Sequence, residues 1–180
     1  MKSFPAFLFS ALIAALLGLT ACRRVDVAPL RTVSWVDLPR FMGDWYVIAS
    51  IPTFIEKGAH NAIESYRLEA DGTIATTFTF RKGAFDGPEK RYTPRGFVLD
   101  KKSNAVWGMR FLWPFKADYR IMSVSEDYTQ TAIGRVKRDF VWIMARTPEI
   151  PDSDYQAFLQ LLKTQGYDTS RIQKVPQRWP

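Results

Sequence analysis

Between residues 43 and 146 the chain is a succession of short segments rich in β-branched and aromatic residues, each closed by turn residues, and none carries a helical period. That stretch limits the fold more than any other feature. It begins with Gly43-Asp44-Trp45-Tyr46-Val47-Ile48-Ala49-Ser50, where Trp45, Val47 and Ala49 share one face of a strand and Tyr46, Ile48 and Ser50 the other. Further strands are predicted over 60–69, 73–80, 92–99, 105–113, 119–125, 131–136 and 140–146. Ala70-Asp71-Gly72 is a hairpin signal, 82–89 is a loop with Gly83, Gly87 and Pro88, and 100–104 is a polar turn. Eight strands joined in order by short links favour an antiparallel up-and-down barrel or a sandwich.

One helix follows. Ser153-Asp154-Tyr155-Gln156 has capping-box spacing, Tyr155, Phe158, Leu159 and Leu162 form one apolar stripe with Leu161 beside it, and Gly166 is the natural stop. The stripe should pack on the outside of the sheet. No repeat or second domain is apparent in the 180 residues.

The N-terminus reads as an address. Lys2 precedes an uncharged run from Ser3 to Ala21, then Cys22, Arg23 and Arg24. Leu19-Thr20-Ala21-Cys22 resembles the bacterial lipobox, which implies a signal peptide over 1–21, a lipidated Cys22 and a tether over 22–34 ahead of a domain at 35–180. Several acyl chains on one cysteine anchor durably, because each buried CH₂ contributes about 0.8 kcal/mol. By resemblance to enterobacterial sorting, Arg23 after the cysteine points to the outer membrane, facing the periplasm.

Composition narrows the chemistry. The single cysteine rules out an intrachain disulfide, and the single histidine, His60, leaves little for a zinc site or a Ser-His-Asp triad. Neither metal nor cofactor is expected. The net charge is +7, but the basic residues are dispersed and export removes nucleic acid as a partner.

Gly43-x-Trp45 on the first strand, Asp118-Tyr119 on the sixth, Arg146 ending the eighth and one helix afterwards resemble the lipocalin family, and look closest to its bacterial lipoproteins. Phe111 to Phe115 and Phe140 to Pro148 are similar to segments of those proteins. Ala117 stands where threonine is usual, and the disulfide of many animal relatives is absent. The resemblance implies a closed eight-stranded barrel, with the helix outside and a small apolar ligand within. It also implies a structural role for Gly43, Trp45, Asp118 and Arg146, with Trp45 closing one end and Arg146 lying across its ring.

An up-and-down barrel places alternate loops at one end. Loops 52–59, 81–91, 113–117 and 135–139 carry net charges of 0, +2, +1 and +2, together +5, whereas the opposite turns total −2. The first set also holds Phe54, Phe85, Trp113 and Phe115. An aromatic mouth with Lys82, Lys90, Arg91, Lys116, Lys137 and Arg138 suits a ligand with an acyl tail and an anionic head. Trp107, Met109, Phe111 and Trp113 alternate inward. Tyr119, Ile121 and Ser123 face in, leaving Met122 and Val124 beneath the helix. Either face of the third strand could be the inner one. The expected cavity and rim contacts are Val47, Trp107, Met109, Phe111, Trp113, Phe115 and Tyr119.

The leading expectation is therefore a non-enzymatic carrier or store of fatty acids or lysophospholipids at the cell envelope. The alternatives are an enzyme acting on a lipid or isoprenoid, resting on His60 and Glu64, and a structural lipoprotein with a filled barrel.

Overall fold

The computed structural model describes residues 28–179; the expected signal segment and Cys22 lie outside the described residues. A short helix α1 (Leu38–Phe41) leads into strands β1 (Gly43–Ile51), β2 (Ala59–Leu68), β3 (Thr73–Lys82), β4 (Glu89–Tyr92), β5 (Arg95–Val98), β6 (Val106–Leu112), β7 (Phe115–Val124), β8 (Gln130–Gly134) and β9 (Val141–Ala145). Helix α2 (Asp152–Thr164), a 3₁₀ turn (Thr169–Arg171) and the two-residue strand β10 (Gln173–Lys174) complete the chain. Strands β1-β2-β3-β5-β6-β7-β8-β9 follow one another around the sheet, and β9 pairs back with β1 from Tyr46↔Ala145 to Ile51↔Val141. The result is a closed eight-stranded antiparallel barrel with two extra strands.

The strands form where the sequence alternates. On β3, Ile74, Thr76, Phe78 and Phe80 are buried while the intervening threonines are half-exposed, which settles the inner face of this strand. The Asp71-Gly72 turn forms as its composition demands. Gly72 has φ +76°, and Asp71 Oδ1 accepts from the N–H and hydroxyl of Thr73 at 2.9 and 2.6 Å.

Several expectations are corrected. The strand expected over 92–99 is two strands, because Pro94 has no N–H to give the ladder. Both β4 and β5 still pair with β3, and the Pro94 carbonyl accepts from Thr76 N at 3.2 Å. Residues 115–118, expected partly as loop, already belong to β7, since Leu112 pairs with Phe115 in a very tight hairpin. Helix α2 begins at Asp152 after Pro151 and has no side-chain cap, so the capping box does not form. Gly166 does end the helix, at φ +85°, with its N–H on the Lys163 carbonyl.

Alternation is broken by bulges, and each one swaps the faces beyond it. On β1 the register slips between Val47 and Ala49, so Ala49 joins the outer cluster under α2 rather than sharing the inner face with Trp45. On β7 it slips between Ile121 and Ser123, so Val124 packs with the interior and only Met122 lies beneath the helix. On β6 and β7 it slips between Met109 and Leu112, which takes Trp113 out of the inward series.

Two clusters hold the molecule together. One fills the closed end of the barrel around Phe41, Trp45, Tyr66 and Trp107. The other lies between the barrel wall and the Tyr155, Phe158 and Leu162 stripe of α2. Part of the segment expected as tether rests on the barrel: Val33 N donates to Ile121 O at 3.1 Å and Leu30 packs on the outer cluster. Among the described residues no helix is long and apolar enough to cross a membrane.

Candidate functional site: a cavity with a polar floor

Above the closed-end cluster the barrel is hollow. The cavity has a volume of about 530 Å³, within the range of small-molecule sites. Its mouth is formed by Thr53, Phe54, Ile55 and Glu56 from the β1–β2 loop, by Phe111 and by Arg135 and Phe140. Its walls are largely apolar, with Phe78, Tyr92, Pro94, Met109, Ala117 and Trp142.

Three of the residues expected to contact ligand, Met109, Phe111 and Tyr119, line this cavity. Val47 and Trp107 are buried but sit in the cluster that seals the barrel, not on the cavity wall. Trp107 stacks on Tyr119 at 5.2 Å and its indole N–H donates to the Asn104 carbonyl. Trp113 and Phe115 are at the tip of the β6–β7 hairpin, 77% and 74% exposed, because the β6 bulge turns the strand end away from the interior. Of the remaining expected residues, Gly43, Trp45 and Arg146 build the closed end. Trp45 is fully buried, its indole N–H donates to Phe41 O at 2.8 Å, and the Arg146 guanidinium lies 3.7 Å from its ring centroid. Gly43 sits against Arg146 at φ +93°. Asp118 lines the cavity, binds Arg120 Nε at 2.9 Å and accepts from Val136 N at 2.7 Å, which ties β7 to the β8–β9 loop.

Two of the cations expected at the mouth, Lys82 and Arg138, are engaged elsewhere. Lys82 donates to the carbonyls of Ile55 and Lys57, and Arg138 to those of Ala28, Val136 and Gln165. The cation that lines the cavity is Arg135, which the loop-charge argument did not single out. Its guanidinium meets Asp139 at 3.4 Å and lies 5.2 Å from the Phe140 ring, while its buried Nε has no hydrogen-bond partner among the described residues. Its position at the first residue after β8 was the available signal.

Besides Asp118, two carboxyl groups face this space, Glu56 and Glu64. Glu56 accepts from Thr53 N at 2.7 Å and from the Trp142 indole at 3.1 Å; burial raises its pKa, and those bonds oppose the rise. Glu64 is deeper. Burial first, and then Glu56, push its pKa up to about 8, so it is mostly protonated at neutral pH. It accepts a hydrogen bond from the Tyr66 hydroxyl, which in turn bonds the Tyr119 hydroxyl at 2.6 Å. Burial also raises the pKa of Tyr119.

His60 does not line the cavity. Its Nδ1 is 3.2 Å from Gly58 O and its ring meets Phe85 edge-on at 4.9 Å. The bulge around Asn61, at φ +49°, separates its face from that of Glu64. Among the described residues no acidic, histidine or cysteine cluster could hold a metal ion.

Comparison with known proteins agrees with this geometry. The chain is 28% identical over 160 residues to temperature-induced lipocalin-1 of Arabidopsis thaliana, covering 82% of this chain and 83% of the relative. It is 26% identical over 180 residues to the outer membrane lipoprotein Blc of Escherichia coli K12, covering 98% of both. The fold is similar to the crystal structure of the cockroach allergen Per a 4, with a TM-score of 0.61 and 16% identity over 82% of this chain and 92% of that one. The family model for the lipocalin-like domain matches residues 36–177, nearly the whole described chain, and the protein accordingly belongs to the lipocalin family, whose members bind small hydrophobic ligands.

Proposed function

We propose that the protein is a non-enzymatic envelope lipoprotein that carries or stores fatty acids or lysophospholipids in its barrel. The observation that carries this is the apolar cavity of about 530 Å³ with one arginine, Arg135, at its lip. An acyl chain gains about 25 cal/mol for each Å² of apolar surface it buries there. A carboxylate or phosphate at the lip meets Arg135, whose Nε is unpartnered. The likeness to outer membrane lipoproteins and the Leu19-Thr20-Ala21-Cys22 sequence support attachment to a bacterial membrane through lipidated Cys22. The rim supports contact with that membrane: Leu112, Trp113 and Phe115 are exposed beside Lys116 at the β6–β7 tip, and Phe54 is exposed on the β1–β2 loop.

The test is fluorescence titration of the full chain, stripped of bound lipid, with hexadecanoate and a lysophospholipid. Saturable binding of at least one is expected. Arg135→Gln should weaken hexadecanoate about tenfold and leave hexadecanol unchanged. No saturable binding of either amphiphile would end the proposal.

A further inference from the structure

A bare acyl tail calls for an apolar floor, and this cavity does not have one. Away from the mouth, the last cavity-lining residue is Glu64 on β2, Thr76 on β3 and Tyr119 on β7, with the apolar Met109 on β6 and Trp142 on β9. Beneath them Tyr66, Phe41 and Trp107 close the barrel.

These polar groups are incompletely satisfied. The Tyr66 hydroxyl bonds both Glu64 Oε2 and the Tyr119 hydroxyl. Glu64 Oε1 makes no hydrogen bond among the described residues. Thr76 is 4% exposed, faces the cavity, and its buried Oγ1 has no partner among the described residues. A buried hydroxyl without a partner is costly, and valine would fill the same volume with equal strand propensity and no such cost. Packing alone therefore does not account for threonine at this position, whereas a hydrogen bond to a bound molecule does.

We infer that Glu64, Thr76 and Tyr119 form a floor subsite that takes an uncharged hydrogen-bonding group, above all a hydroxyl, at the leading end of a long apolar ligand. This rests on the lipid-binding function proposed above and narrows its ligand class to chains polar at both ends, the anionic end at Arg135 and the hydroxyl at the floor. The subsite selects a neutral group. An anion there would meet the Glu64 carboxyl, and an ammonium would have to give up its water and would gain a charged partner only after Glu64 had released its proton to solvent.

The experiment compares hexadecanoate with ω-hydroxyhexadecanoate at pH 7 on the full chain, stripped of lipid, by displacement of a fluorescent fatty acid. A polar floor makes the hydroxylated chain bind about fivefold more tightly; an apolar floor makes it bind about tenfold more weakly, since the hydroxyl loses water for nothing. Thr76→Val should abolish the preference and Thr76→Ser should keep it. Equal or weaker binding of the hydroxylated chain by the wild-type protein, or a preference unchanged in Thr76→Val, overturns the inference while leaving lipid binding in place. Failure of hexadecanoate and ω-hydroxyhexadecanoate alike to bind removes both.

Discussion

Arg146 shows how much a single side chain can hold. Besides covering the Trp45 ring, it donates to the carbonyls of Arg40, Asp44, Met42 and Tyr128, joining α1, β1 and the β7–β8 turn. Arg146→Ala should cost on the order of 3 kcal/mol, read as a lower urea midpoint, because it leaves carbonyls at the closed end without their donor. Arg146→Lys should recover less than half, as an ammonium lacks the planar fork. Glu64 makes a prediction of a different kind. Its pKa rises from 4.5 to about 8 on folding. Between those values the folded state holds a proton that the unfolded state has released, so stability falls as pH rises through that window and levels off above it. Glu64→Gln should flatten the dependence of melting temperature on pH between 5 and 9 and melt higher than wild type at pH 9. The roles of the two residues differ in how readable they were. Arg146 belongs to a recognisable pattern with Gly43 and Trp45. Glu64 reads as a polar residue near the mouth, in step with His60, because the bulge at Asn61 that separates their faces leaves no mark in the pattern of residues.

Among the elements, the least conspicuous in sequence is the C-terminal segment. Strand β2 pairs with β1 only from Gly43 to Tyr46, and beyond that point β10 takes the vacated edge at Ala49 and Ser50. Val175 N donates to Ile48 O, Gln177 bridges the carbonyls of Val47 and Ala62, and Asn61 bonds the main chain of Arg178 in both directions. These residues close a seam between β1 and β2. A chain ending after Ile172 should melt several degrees lower, and amide exchange should quicken at Val175's partner strand β1 and at Ala62 before it does on β6 to β8. Two residues of strand are too few to produce a period, so only the unpaired edge left by the β2 register shift reveals why the segment is there. Strands such as β3 and β9 were legible as strands for the opposite reason, each being a longer run of β-branched and aromatic residues, although the residues left the inner face of β3 open.

For the molecule as a whole, we propose that the anchor and the cavity act as one device, which would hold a lipid carrier at the surface from which it loads. Incorporation of labelled palmitate into wild type, and its loss in Cys22→Ala together with release of the protein into the soluble fraction, is the expected result; equal labelling of the two would detach the barrel from this scheme. Loading should also stabilise the fold by mass action, by about 2.7 kcal/mol at a ligand concentration one hundred times Kd, seen as a rise in melting temperature. What the sequence determined by itself was most of the barrel strands and the helix with its apolar stripe, because those follow from local periodicity and turn chemistry; the residues left barrel or sandwich open, and closure was implied by the resemblance to the family alone. Which side chains face the hollow was decided only by the tertiary structure. Four register shifts reverse the inside and outside of strands that the residue pattern presents as uninterrupted, and it is their combined effect that turns Trp113 outward, places Val124 within and leaves Glu64 beneath the ligand space.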